Sequence, residues 1–141
     1  GIEFESLYTR QVTDKMSFSW NLAYTFLNSS NAEGIISTYL SNHARHLVTT
    51  NLILNYDRIE FAINGLYKNR TGRIATGSPG FTVASSLADS YMVLNGKISV
   101  RVIDGLSVNF VAHNILNKQY ADFLGAKMPS RWLMGGVKWN L

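Results

Sequence analysis

His43 and His46, with Arg45 between them, are the residues whose type could best hold a metal. A spacing of three suits ligation from one face of a helix, but on a strand residues three apart face opposite sides. The segment is expected instead to be a solvated loop running into a strand. His113 falls on the polar side of an alternating run, where hydrogen bonding to a neighbouring strand is the simplest role. Glu3 and Glu5 share one face of a strand, as paired carboxylates would, and are expected to bind water or cations there. Thr76-Gly77-Ser78-Pro79-Gly80 is glycine-rich, yet it lacks the Lys-Ser/Thr of a phosphate loop and opens no helix. Serines are plentiful without a nucleophile elbow. The absence of Cys excludes disulfides, thiolate zinc sites and cysteine nucleophiles. No catalytic residue, metal site or cofactor is expected, and the chain does not read as an enzyme.

What positions these side chains is legible in the composition. The 141 residues are 46% hydrophobic, with 13 basic and 9 acidic residues, too apolar and too sparsely charged for a disordered chain. A transmembrane helix needs about 18 consecutive apolar residues; the longest run here is four, Tyr91 to Leu94. The net charge of +4 is scattered, without the clustered patch of a nucleic-acid binder. The chain opens on Gly1 and an alternating Ile2-Glu3-Phe4-Glu5, with no Met start or signal peptide, so a processed or longer precursor is expected.

The dominant period is two. Met16, Phe18, Trp20, Leu22, Tyr24 and Phe26 share one face, while Ser17, Ser19, Asn21, Ala23 and Thr25 share the other. The pattern recurs from Ile59, Met92 and Leu106. It predicts about seven strands, near 2–12, 16–27, 47–56, 59–68, 90–102, 106–116 and 131–141. They are long: a tilted strand crossing a bilayer needs about 9–11 residues, against about 5–6 in the usual soluble strand.

Connections alternate between tight turns (13–15, 57–58, 103–105) and long polar loops (about 28–46, 69–89, 117–130). Short and long links between strands with one greasy face and one wet face are the outer-membrane β-barrel pattern. A soluble sandwich also alternates. Here, however, Tyr8, Tyr24, Phe26, Tyr56, Tyr67, Tyr91, Trp132 and Trp139 sit toward strand ends, as interfacial girdles require. The fold class expected is an all-β antiparallel meander.

The last residues, Gly136-Val137-Lys138-Trp139-Asn140-Leu141, resemble the outer-membrane β-signal that the barrel assembly machinery reads, with Gly136, Trp139 and Leu141 at its marked positions. Leu141 stands where an aromatic is usual. Upstream, Val108 to Tyr120 resembles the signature of TonB-dependent outer-membrane receptors: Asn114, Lys118 and Tyr120 match, and Asn117 replaces the usual Asp. Met128-Pro129-Ser130-Arg131 resembles the family's Pro-Gly-Arg through Pro129 and Arg131. The layout of Tyr39, His43, Arg45 and His46, and of Lys68 to Gly72, looks like the cobalamin-receptor-like branch.

The resemblance implies that residues 1–141 are the C-terminal part of a barrel of about 22 strands, with the plug domain and earlier strands absent. It implies a bacterial outer-membrane location and active uptake of a scarce nutrient, such as cobalamin or a metal chelate, energised through TonB. The implied partners are the remaining strands and plug, TonB through an upstream region, the assembly machinery, membrane lipid and a small-molecule ligand; nucleic acid is not among them. Ligand contacts would come from external loops: Tyr39, His43, Arg45, Arg70, Arg73, Phe81 and Phe123. Their Arg and aromatic character suits a large amphipathic molecule. Arg131 would contact the external rim. The alternative is a small complete outer-membrane barrel, either a lipid-modifying enzyme or a structural or adhesive protein.

Overall fold

A computed structural model describes residues 1–28, 43–70, 90–122 and 126–140. Among them are seven strands and no helix: β1 (Ile2–Thr13), β2 (Met16–Phe26), β3 (His46–Tyr56), β4 (Ile59–Asn69), β5 (Ser90–Ile103), β6 (Leu106–His113) and β7 (Trp132–Trp139). They form one sheet in sequence order, every neighbouring pair antiparallel. This is the expected all-β meander.

The three tight links each contain two residues: Asp14-Lys15, Asp57-Arg58 and Asp104-Gly105. Two are shorter than the sequence suggested, because the extra residue is absorbed as a bulge in the strand, between Gln11 and Thr13 and between Arg101 and Ile103. Asp57 (φ 51°) and Gly105 (φ 81°) take the left-handed conformation that Asp tolerates and Gly prefers. A Cβ on Gly105 would also lie 2.7 Å from the Asn140 carbonyl oxygen.

Register keeps like with like. Tyr8 faces Trp20, Phe18 faces Leu54, Leu52 faces Ile63, Phe61 faces Ile98, and Val108 faces both Val100 and Val137. One face is therefore apolar from β1 to β7. The other carries Glu5, Asn21, Asn51, Asn64, Lys97, Asn109 and Lys138, a polar face. Tyr91 and Trp132, counted among the girdle aromatics in the sequence, lie on the polar face: their neighbours in register are Lys68 and His113. Tyr8 and Trp20 pair near mid-strand.

Burial is inverted relative to a water-soluble sheet. The buried hydrophobic residues are Ala44, Tyr91, Val93 and Ala121, none of them on the apolar face. That face leaves Phe4, Trp20, Phe61, Ile98, Phe110, Val137 and Trp139 between 38% and 70% exposed. Several of its polar groups are paired with one another, though Arg10 and Ser6 of β1 share this face without such a partner among the described residues. Trp20 Nε1–H donates to Thr50 Oγ1 (2.8 Å), Tyr24 Oη lies 2.9 Å from His46 Nδ1, and Asn69 Nδ2 donates to Tyr67 Oη (3.2 Å). Gly65 leaves room for Thr50, whose Cγ2 would lie 2.9 Å from an added Cβ.

β6 stops at His113, three residues before the expected 116. Asn114 (φ 49°) and Asn117 (φ 51°) turn the chain there, closed by the Asn117 amide on the Asn114 carbonyl (2.8 Å). The described residues that follow, 118–122 and 126–131, lie over the polar face as a strap that leads into β7.

Candidate functional site

The strap is built from Asn114 outward. Asn114 is 3% exposed, and its backbone amide donates to Asn95 Oδ1 on β5 (3.0 Å). Its side chain donates to the carbonyls of Lys118 (2.9 Å) and Pro129 (3.2 Å) and accepts from the Lys118 amide (2.9 Å). Asn117 Oδ1 accepts from the Arg131 amide (3.0 Å), where the strap enters β7. The Met128 amide meets the Tyr120 carbonyl (2.9 Å), and Ala121 bridges Lys127. The motif residues Asn114, Lys118, Tyr120, Pro129 and Arg131 are thus drawn into one folded unit, although Tyr120 and Pro129, where its two halves end and begin, are separated in sequence.

A polar latch pins the strap to the sheet. The Asp122 carboxylate receives Lys68 Nζ (2.8 Å), Tyr91 Oη (2.5 Å) and the Arg70 guanidinium (3.3 Å). Arg70 also donates to the carbonyls of Ala121 (3.2 Å) and Asp122, and its Cζ lies 5.6 Å from the centre of the Tyr91 ring. Tyr120 packs on Tyr91 at 4.6 Å. Burial alone would push the Asp122 carboxyl up. The hydrogen bonds from Lys68 and Tyr91, with the charges of Lys68 and Arg70, outweigh burial and hold it below the usual aspartate range. Tyr120 is pushed above the usual phenol value, by burial first and then by the Asp122 charge.

Several sequence expectations change here. Arg70, read as an external-loop cation for ligand, is 0% exposed with its guanidinium committed to the strap. His46 is no solvated loop residue: it opens β3 on the apolar face, stacked with Tyr24 at 6.2 Å and tilted against Phe26 at 5.1 Å. His43, by contrast, is part-buried and lines a cavity of about 270 Å³ on the polar face with Lys68 and Asp122. Arg45 is anchored by its backbone, its amide on the Asn69 carbonyl (2.7 Å), with the residue exposed. Gly136 faces Asn109, whose side chain occupies the space a Cβ would need (2.9 Å). Trp139 is 69% exposed on the apolar face. Tyr39, Arg73, Phe81, Phe123 and Leu141 lie outside the described residues, as does the Thr76 to Gly80 stretch.

Asp122 and Asn95 were missed by sequence reasoning, and Tyr91 and Trp132 were read only as girdle aromatics. Lys68 and Asp122 are 54 residues apart, and only the β4–β5–β6 register brings them together. A signal did exist: Asn114 and Asn117, both suited to left-handed turns, close the alternating run of β6. Among the described residues no group of three or more His, Asp or Glu could hold a metal ion. Compared with family models, with curated proteins and with solved structures, the chain matches none.

Proposed function

We propose that the chain is part of the transmembrane β-barrel of an outer-membrane active transporter, the C-terminal seven of about 22 strands of a TonB-dependent receptor. The observation that carries this reading is the continuous apolar face with no buried hydrophobic side chain, opposite a polar face that bears the strap. In water such a face is an aggregation hazard; in a bilayer it is solvated by acyl chains. Strand length agrees. The 11 residues of β2, β3 and β4, rising about 3.3 Å each and tilted about 45°, span about 26 Å, close to the apolar band of about 25 Å. Pairing of Trp20 with Thr50 and of Tyr24 with His46 is what lipid demands of polar groups. The unpaired edges of β1 and β7 require neighbouring strands to close the barrel.

On this reading the polar face lines the lumen, the plug lies within it, and the strap sits at the external end. The cargo is a scarce nutrient such as cobalamin or a metal chelate, the energy reaches the barrel through TonB, and the chain catalyses no reaction. The test is to delete the gene and, separately, tonB. Uptake of labelled cyanocobalamin and ferric chelates is then compared with fractionation of the protein. Outer-membrane location and a matching uptake loss in both strains are expected. Soluble fractionation, or unchanged uptake of every nutrient tested, would overturn the proposal.

A further inference from the structure

Between the strap and the polar face lies a second cavity, of about 330 Å³. Its walls come from β4, β5, β6 and β7 on one side and from Tyr120, Met128 and Pro129 of the strap on the other. Among the described residues no Lys, Arg, Asp or Glu lines it. The volume is at the low end of the range of about 300–1,000 Å³ for small-ligand sites.

Two kinds of group converge there. Asn64 and Asn95 pair across β4 and β5, Asn95 Nδ2 donating to Asn64 Oδ1 (3.3 Å). Each amide carries two donors and an acceptor with two lone pairs, so this pair keeps hydrogen-bonding capacity toward the cavity. Opposite, His113 and Trp132 stack at 4.3 Å with their planes 14° apart. Trp132 is 45% exposed, and its Nε1–H makes no hydrogen bond to another described residue. An indole platform with an unused donor beside amides, in an uncharged cavity, suits a ring with one C–H face and hydroxyls at its edge.

We infer that this cavity is a binding subsite for a neutral pyranose-class saccharide unit, stacked on Trp132 and hydrogen-bonded by Asn64 and Asn95. The inference rests on the transporter reading, since that reading places the cavity at the wet external end of a lumen. A saccharide ring enters without the desolvation cost that a charged ligand would meet where no counter-charge is present.

The test uses the full-length protein in detergent micelles. Its folded state is read by heat-modifiable migration on gels, and binding by saturation-transfer NMR. The probes are methyl α-glucopyranoside and methyl α-galactopyranoside, with glucuronate as the charged control. Transfer to the ring protons of at least one pyranoside is expected, with none to glucuronate. Trp132→Ala should weaken binding by about tenfold or more, and Trp132→Phe, which keeps a ring but loses the donor, by less. Asn64→Ala gives an independent check should Trp132→Ala misfold. Absence of transfer to either pyranoside, equal transfer to glucuronate, or undiminished binding in folded Trp132→Ala and Asn64→Ala would overturn the subsite. In each of those results a heat-modifiable barrel would leave the membrane reading standing; loss of heat modifiability in the unmutated protein would instead refute that reading.

Discussion

Asn114 does two things at once that an aliphatic residue at its position could not. It adopts a left-handed backbone at low cost, and its amide closes hydrogen bonds to both ends of the strap. Asn114→Ala removes the tolerance and the bonds together, and should destabilise the strap by about 1–3 kcal/mol, the cost of leaving buried partners unpaired. Asn114→Gly keeps the conformation and should lose less. Limited proteolysis within residues 114–131 reads the difference, and equal protection in all three proteins would show that the amide holds nothing.

Asp122 sets a pH window at the same scale. Its folded-state value is depressed, so its contribution to holding the strap is fully present above the ordinary aspartate value of about 4 and is lost as pH falls through the lower folded value. Strap protection should therefore drop on acidification below about pH 4. Asp122→Asn should already show weakened protection at pH 7, with no further step in the acid range. A wild-type strap equally protected on both sides of that window would contradict the latch.

At the scale of the strand, facing is what each side chain contributes. Ile63 and Asn64 are adjacent in β4 and on opposite faces. Ile63→Arg should cost about 2–4 kcal/mol of stability in lipid, and Asn64→Arg far less, measured by denaturant titration of the bilayer-inserted protein. Equal costs would refute the facing. On β7, Trp139 lies on the apolar face and Lys138 on the polar one. If this strand is read during insertion, Trp139→Ala in the full-length protein should lower its outer-membrane level, while a Lys138 substitution should matter less. If Trp139 contributes buried area alone, worth about 1.5–3 kcal/mol, the level should stay normal and only the melting point should fall. Heat-modifiable barrel in membrane fractions distinguishes the two.

For the whole molecule, the meander was legible because a period of two over 11 residues leaves few other solutions, and Asp and Gly marked where each hairpin turns. The bulges near Val12 and Val102 were not, since one extra residue in a strand leaves the composition unchanged. Asn114, Pro129 and Arg131 stood out by resemblance to a motif, but their work of fastening a strap depends on contacts that close only when β6 and β7 pair. Arg70 was misplaced for the same reason: an arginine after a strand reads as solvated, and the aspartate that its guanidinium meets is 52 residues away.

The inverted sheet can be tested directly by its three tryptophans. Trp20 and Trp139 belong to the apolar face, and Trp132 stacks on His113 across the sheet from them. Full-length variants that keep one of the three, with every other tryptophan replaced by Phe, would be reconstituted into bilayers whose acyl chains carry bromine. Strong quenching of Trp20 and Trp139 fluorescence, with Trp132 unquenched, is the expected result. Trp132 quenched as strongly as Trp20, or all three left bright, would contradict a lipid-facing apolar sheet.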